Sequence, residues 1–439
     1  MDKQPGRFLR LCERTKAFDD DQLAQELGRP FGPMHSNGQG GNPKIPAGFT
    51  YLGQFIDHDL SFDPNMSLEP KDNAEDEPRN FRAAAFDLDS IYGLGPSVHP
   101  YLYDSKDRRK FLLGGNHNDL PRLGNVAVTA DPRNDEHVIM TKLVTAFLNF
   151  HNEVVDRLNG SFSKTQQLVR QHYQWIALHE YLPTIVGRPI REILEDIERL
   201  GYPDRAAVPL EFSVAAFRFG HSQIRGRYDI NSDVQGKSRP ILPDLAGHRP
   251  LTALDRVEWS FFFDMGTGQQ PQPSLPIRPF ISPPMLNMPP EIVGNTRSRS
   301  QLSAAYRDLR RAQVQGLPDA RTAIQKFKIP EKEVIPDKVI WDRVKQRLER
   351  SGQKKYDPHG KPVPLWLYIL FEAQEFRQGQ HLGPLGAQII SAVFIGLMKA
   401  DSESILSNRD WKPTLGENGR FGIADLLRMA EAQKARYTS

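Results

Sequence analysis

Apolar residues recur every three to four positions through much of this chain, the spacing of helices buried along one face. Tyr51, Leu52, Phe55, Ile56 and Leu60 make one such stripe and predict a helix over 50–60. Val138, Met140, Leu143, Val144, Phe147, Leu148, Val154 and Leu158 predict a longer one from His137 to Leu158. Similar patterns cover 165–182, 190–200, 210–223, 298–315, 331–351, 365–376 and 385–399. Alternating strand patterns are few, and no internal repeat or dividing linker is visible. Residues 1–45 are polar and rich in glycine and proline, 63–80 are acidic and loop-like, 94–136 are irregular, and 268–290 are proline-rich. The pattern predicts a mainly α fold: a single large helical domain over 46–430 with long loops and little β structure. An N-terminal wrapping arm over 1–45 and a C-terminal tail over 431–439 flank it.

Composition narrows the class. The chain has 439 residues, 38% hydrophobic and 25% charged, enough to bury a large core. The longest apolar run, around Ile389 to Met398, is too short to span a bilayer. No basic segment followed by an apolar stretch opens the chain, so no secretory signal is visible; the expectation is a protein that is cytoplasmic or exported by a signal-independent route, unless a presequence lies outside this sequence. Cys12 is the only cysteine, which excludes an internal disulfide and any cysteine-based metal site. A net charge of +3, spread along the chain, gives no case for nucleic acid binding. The compact basic group Arg307, Arg310 and Arg311 suits a helix face or a buried anion.

Five strings carry candidate chemistry. In Thr50-Tyr51-Leu52-Gly53-Gln54-Phe55-Ile56-Asp57-His58-Asp59-Leu60-Ser61, Gln54 and His58 share a helix face, while Asp57 and Asp59 point to different partners. Alone, an Asp-His-Asp reads as a solvated acidic surface. In Ala216-Phe217-Arg218-Phe219-Gly220-His221-Ser222, Gly220 removes a side chain beside His221 and lets a flat ligand approach the backbone. A lone histidine there also reads as a core residue. Asp131-Pro132-Arg133-Asn134-Asp135-Glu136 reads as a loop running into a helix, with Asp131 or Asn134 as cap. Asp87-Leu88-Asp89-Ser90-Ile91-Tyr92-Gly93 offers alternating carboxylates that suit a hard cation, or a solvated acidic turn. In Tyr306-Arg307-Asp308-Leu309-Arg310-Arg311, followed by Gly316-Leu317-Pro318, Asp308 and Arg311 form an i, i+3 pair.

Taken together, Gly-Gln-x-x-Asp-His-Asp and Phe-Arg-Phe-Gly-His resemble the distal and proximal haem helices of the animal-type haem peroxidases, the peroxidase–cyclooxygenase superfamily. The resemblance spans roughly residues 45 to 425. Its late segment, from Leu382-Gly383-Pro384-Leu385-Gly386 to Phe394-Ile395-Gly396-Leu397, looks like bacterial members. The resemblance implies a haem b peroxidase that reduces hydrogen peroxide and oxidises a halide, thiocyanate or aromatic donor through an oxidised iron–oxo species. His221 is then the axial iron ligand, His58 the acid–base group, and Arg133 the stabiliser of the departing oxygen, with Gln54 holding a distal water or halide. Asp57 and Glu136 match two carboxylates that form ester links to haem. His137 stands where a methionine would be needed for a further sulfonium link, so none is expected. Asp308 stands where the family usually has an asparagine bonded to the proximal histidine. Arg311 and Arg218 are expected at the haem rim. Calcium ligands carried over are Asp59, Asp87, Asp89 and the carbonyls of Ala83 and Ala85. Ala83 replaces a threonine and Asp89 a serine, a swap that keeps the ligand number. His151, in Phe150-His151-Asn152-Glu153, reads as structural.

Other functions weigh less. A fatty-acid dioxygenase of the same superfamily needs a radical tyrosine three residues before the proximal histidine, and Arg218 stands there. A calcium-stabilised adhesion protein with a vestigial haem site would not require Gln54, His58, Arg133 and His221 together. A metallohydrolase built on His58 and Asp59 lacks a second histidine at a chelating interval.

Overall fold

The computed structural model describes residues 6–438 except 15–17, 39, 64–66, 70–77, 116–117, 203, 205, 235–237, 295, 297 and 409. Much of the acidic loop expected over 63–80 therefore lies outside the described residues. The architecture is helical and built around the helix Val138–Leu158, in which every residue from Val138 to Val155 is buried. A helix buried on all sides belongs at the centre of a large core. The His137 side chain caps its start by accepting from Met140 N, and Asn159 ends it with a left-handed φ of 46°.

The helix Ala47–Leu60 packs on this centre through Phe55, whose ring stacks on Phe147 at 4.2 Å. It also lies close to the turn carrying Tyr181. A Cβ added at Gly53 would come within 2.3 Å of the Tyr181 hydroxyl, so only glycine allows that approach. The helices Ile190–Leu200, Asp337–Arg350, Leu365–Arg377 and Pro384–Ala400 complete the core near their expected positions. The described residues contain two ribbons of two-residue strands: Arg122–Leu123 with Val126–Ala127, and Arg227–Tyr228 with Arg239–Pro240. No described helix is long and apolar enough to cross a membrane.

Three expectations change. The segment 210–223 is not one regular helix but a wide π turn, Glu211–Ala215, followed by a tight 3-10 helix, Ala216–Gln223. Apolar spacing reports which face is buried and does not separate i→i+3, i→i+4 and i→i+5 hydrogen bonding. A second π turn, Ala177–Tyr181, interrupts the helical stretch after Phe162–Ile176. Residues 431–438, read as tail, belong to the helix Ile423–Thr438, which lies along Val138–Leu158. The N-terminal arm carries its own helix, Asp21–Gly28, capped by Asp20.

Both π turns anchor chain ends. Glu211 accepts from Leu11 N and Cys12 N at 3.0 Å each, holding the arm. Glu180 accepts from Ile423 N at 2.8 Å, holding the start of the last helix.

Candidate active site

One cavity of about 410 Å³ collects the residues singled out above. Gln54, Asp57, His58, Arg133 and Glu136 line it, as do Arg218, Gly220, His221, Arg307, Asp308 and Arg311. These residues come from four chain segments far apart in sequence.

Helical spacing puts Gln54, Asp57 and His58 on one face of Ala47–Leu60. Burial, reinforced by the nearby Arg133 charge, holds the His58 imidazole well below its ordinary pKa, so it is a neutral base. Arg133 is fixed from behind. Its Nε and Nη2 donate to the Asp131 carboxylate at 3.1 and 2.7 Å, and Nη2 also donates to the His58 carbonyl at 3.1 Å. The guanidinium lies over the Phe62 ring, 4.7 Å from its centroid. Burial alone would raise Asp131, but Arg133, with help from Arg82, holds it well below the carboxylate range. Asp131 also caps its own turn, accepting from Arg133 N at 2.8 Å. Arg82 pairs with Asp131 and donates to the His58 carbonyl at 3.0 Å. The sequence reading missed Arg82, which lies outside every motif and meets Asp131 across 49 residues.

Gln54 is tied at both ends of its amide, to Glu136 Oε2 and His137 Nε2, each at 2.9 Å. Burial pushes Glu136 up to about 7. Asp57 accepts from Ser61 Oγ at 3.1 Å and faces Arg133 at 4.0 Å.

His221 is set by Asp308, whose Oδ2 lies 2.5 Å from His221 Nδ1. With Nδ1 engaged, Nε2 is the ring nitrogen available for a metal. A Cβ added at Gly220 would meet no atom within 4 Å, so the wall beside His221 is open. Three arginines surround this side. Arg218 Nε donates to Ser213 O at 2.8 Å, and Arg307 Nη1 donates to the Val293 and Gln301 carbonyls at 3.3 Å. Burial, then the charges of Arg218 and Arg307, push Arg311 down to about 9. The Asp308 carboxylate lies 4.0 Å from its Nη1, and its buried Nε has no acceptor among the described residues. A cluster of half-buried guanidiniums short of carboxylates suits an anionic ligand. A flat, mostly apolar group carrying carboxylates and an iron atom would suit this lining: His221 could hold the iron, and Arg218, Arg307 and Arg311 could pair with the carboxylates.

Next to His58, the side-chain oxygens of Asp59, Asp87 and Asp89 lie within 4.8 Å of one another. Burial and mutual repulsion raise Asp59 well above the carboxylate range and Asp89 to about 7. Such a donor set suits a hard cation. Asp59 accepts from Leu88 N at 3.1 Å, and Asp89 from Ala83 N at 3.1 Å. Ala85 is buried nearby in the chain, before the turn of Asp87. His151 is outside the cavity; its nitrogens meet Tyr92 Oη and the Arg109 carbonyl, both at 2.8 Å.

The fold has known counterparts. Peroxidase A from Dictyostelium discoideum superposes with a TM-score of 0.68 at 17% identity, covering 98% of this chain and 94% of that one. The Oryza sativa fatty acid alpha-dioxygenase gives 0.64 at 12% identity, covering 98% and 80%. In sequence, Drosophila melanogaster Peroxidasin is 21% identical over 286 residues, 62% of this chain and 18% of that protein. Caenorhabditis elegans Heme peroxidase 2 is 23% identical over 314 residues, 64% of this chain and 40% of its own. The chain thus spans less than half the length of either curated relative. The animal haem peroxidase family model matches residues 84–402, well over half of the sequence. The chain therefore belongs to the animal haem peroxidase family.

Proposed function

We propose that the chain is a haem b peroxidase that reduces hydrogen peroxide and oxidises a halide, thiocyanate or aromatic donor. The observation that carries this reading is the convergence of neutral His58, braced Arg133 and Asp308-bound His221 on one cavity. Haem would supply a redox-active iron when bound. His221, with Nδ1 engaged by Asp308, would hold the iron through Nε2. His58 would take a proton from hydrogen peroxide and return it to the departing oxygen. Arg133, held still by Asp131, offers its remaining donors to the charge that develops on the departing oxygen. Asp57 and Glu136, which line the cavity, would form ester links to haem. Asp59, Asp87 and Asp89, with the carbonyls of Ala83 and Ala85, would bind calcium and fix the end of the His58 helix.

The dioxygenase fold neighbours raise a second reading. Against it stands Arg218, three residues before His221, with its Nε spent on Ser213 O. The test is an absorption spectrum of haem-reconstituted protein with and without peroxide. A Soret band that changes with peroxide supports the peroxidase; no Soret band ends the reading. Turnover of a fatty acid without peroxide would favour the dioxygenase.

A further inference from the structure

His137 has no role in the reading above, yet it is among the most constrained side chains near the cavity. Its ring is buried and packs edge-on against Tyr51, with centroids 5.0 Å apart. Its backbone is stapled on both sides. Val138 N donates to Leu245 O at 2.8 Å, and Gly247 N donates to Glu136 O at 2.9 Å.

The ring's hydrogen bonds determine the direction of another side chain. Nδ1 accepts from Met140 N at 3.2 Å. A backbone N–H can only donate, so Nδ1 carries no proton. Burial pushes the imidazole down to about 3, so the ring is neutral and its single proton sits on Nε2. Nε2 therefore donates, and its partner at 2.9 Å must be the carbonyl oxygen of Gln54 rather than its nitrogen. That leaves the Gln54 NH₂ directed at Glu136 Oε2, also at 2.9 Å. One N–H is used there. The second has no acceptor among the described residues, and Gln54 lines the cavity.

We infer that His137 is a positioning residue: it locks the Gln54 amide with its N–H toward the cavity, the orientation that the halide-holding role expected of Gln54 requires. An amide turned the other way would present a carbonyl oxygen and repel an anion. The inference rests on the haem peroxidase reading and extends it to a residue that only touches the site through Gln54.

The probe is bromide, titrated optically against the ferric haem protein. His137→Asn keeps a strong helix cap for Met140 N but is too short to hold Gln54. Its bromide affinity should fall about tenfold or more, the range of a hydrogen bond to a charged partner, while the Soret band and melting temperature stay near wild type. His137→Asp, a second capping variant, should do the same if the asparagine variant folds poorly. Gln54→Glu keeps an oxygen for His137 but offers no N–H, and should lose bromide binding. In a Gln54→Leu background, His137→Asn should cause no further loss, because the two residues act as one unit. Wild-type bromide affinity in His137→Asn overturns the inference, and so does an equal loss in the Gln54→Leu background. A Soret band without any bromide response overturns it while leaving the haem reading standing. Absence of a Soret band overturns both.

Discussion

Asp308 Oδ2 lies 2.5 Å from His221 Nδ1, and the buried carboxylate has Arg311 4.0 Å from its other oxygen. A charged acceptor pulls the imidazole proton harder than a neutral amide and makes the ring a stronger donor to iron. Asp308→Asn should therefore raise the Fe(III)/Fe(II) potential. A difference of about 1 kcal/mol between charged and neutral acceptors corresponds to roughly 40 mV for one electron. Spectroelectrochemistry decides it: indistinguishable potentials would mean that Arg311 already neutralises Asp308.

His58→Ala should keep haem and slow the reaction with peroxide by about 10²–10⁴-fold, the range of a general acid–base group. Stopped-flow absorption measures the rate. An unchanged rate would remove His58 from the chemistry.

Asp59 connects the three-carboxylate cluster to the residue next to His58. Asp59→Ala should release calcium, lower the melting temperature and perturb the Soret band. Elemental analysis of the wild type should find about one calcium per chain, the stoichiometry of a single oxygen-ligand site. Full activity in calcium-free protein would contradict the assignment.

Asp57 and Glu136 both line the cavity. After turnover with peroxide, haem should resist extraction by acidified solvent. Complete release from wild type would show that neither carboxylate has reacted. If release occurs only from Glu136→Gln, the link is through Glu136.

Glu372 predicts a pH dependence of stability. It is buried at the start of Pro384–Ala400, accepting from Leu385 N at 3.1 Å and Gly386 N at 2.6 Å. Burial nevertheless pushes it up to about 8; these bonds and Arg377 oppose the rise, and Glu333 adds to it. Between its ordinary value near 4.5 and about 8, the folded chain keeps a proton that the unfolded chain has lost. Stability from this group is therefore complete below that window and falls as pH rises through it, by at most about 1.4 kcal/mol per pH unit. Glu372→Gln should flatten the decline in melting temperature across the window. Parallel curves for the two proteins would show that Glu372 titrates as an ordinary carboxylate.

The long helices were legible because apolar spacing is a local signal, and the cavity residues because the short strings that carry them resemble a known family. Apolar spacing announces Val138–Leu158, and motif strings announce Gln54, His58, Arg133 and His221. Arg82 was not legible because its partners lie 24 and 49 residues away and no periodic pattern marks it. The π turns were invisible for the reason that hides them in any sequence: burial pattern does not encode hydrogen-bond register. The last helix was readable and was missed. Ala430-Glu431-Ala432-Gln433-Lys434-Ala435-Arg436 is made of strong helix formers, and Gln433 reaches Asp156 at 3.0 Å.

The carboxylates of Glu180 and Glu211 give the two π turns a wider consequence. Tyr181 and Ser213, from those same turns, line the cavity, and so does Phe8 from the arm that Glu211 holds. The chain's extremities and the walls of the pocket thus belong to one mechanical frame. A ligand that fills the pocket favours the state in which both extremities are tied down, and linkage makes the effect mutual. Proteolytic nicking near residues 6–13 or 423–438 should accordingly be slower in haem-loaded protein than in apoprotein, and clipping 423–438 should weaken the hold on haem without removing any residue that lines the pocket.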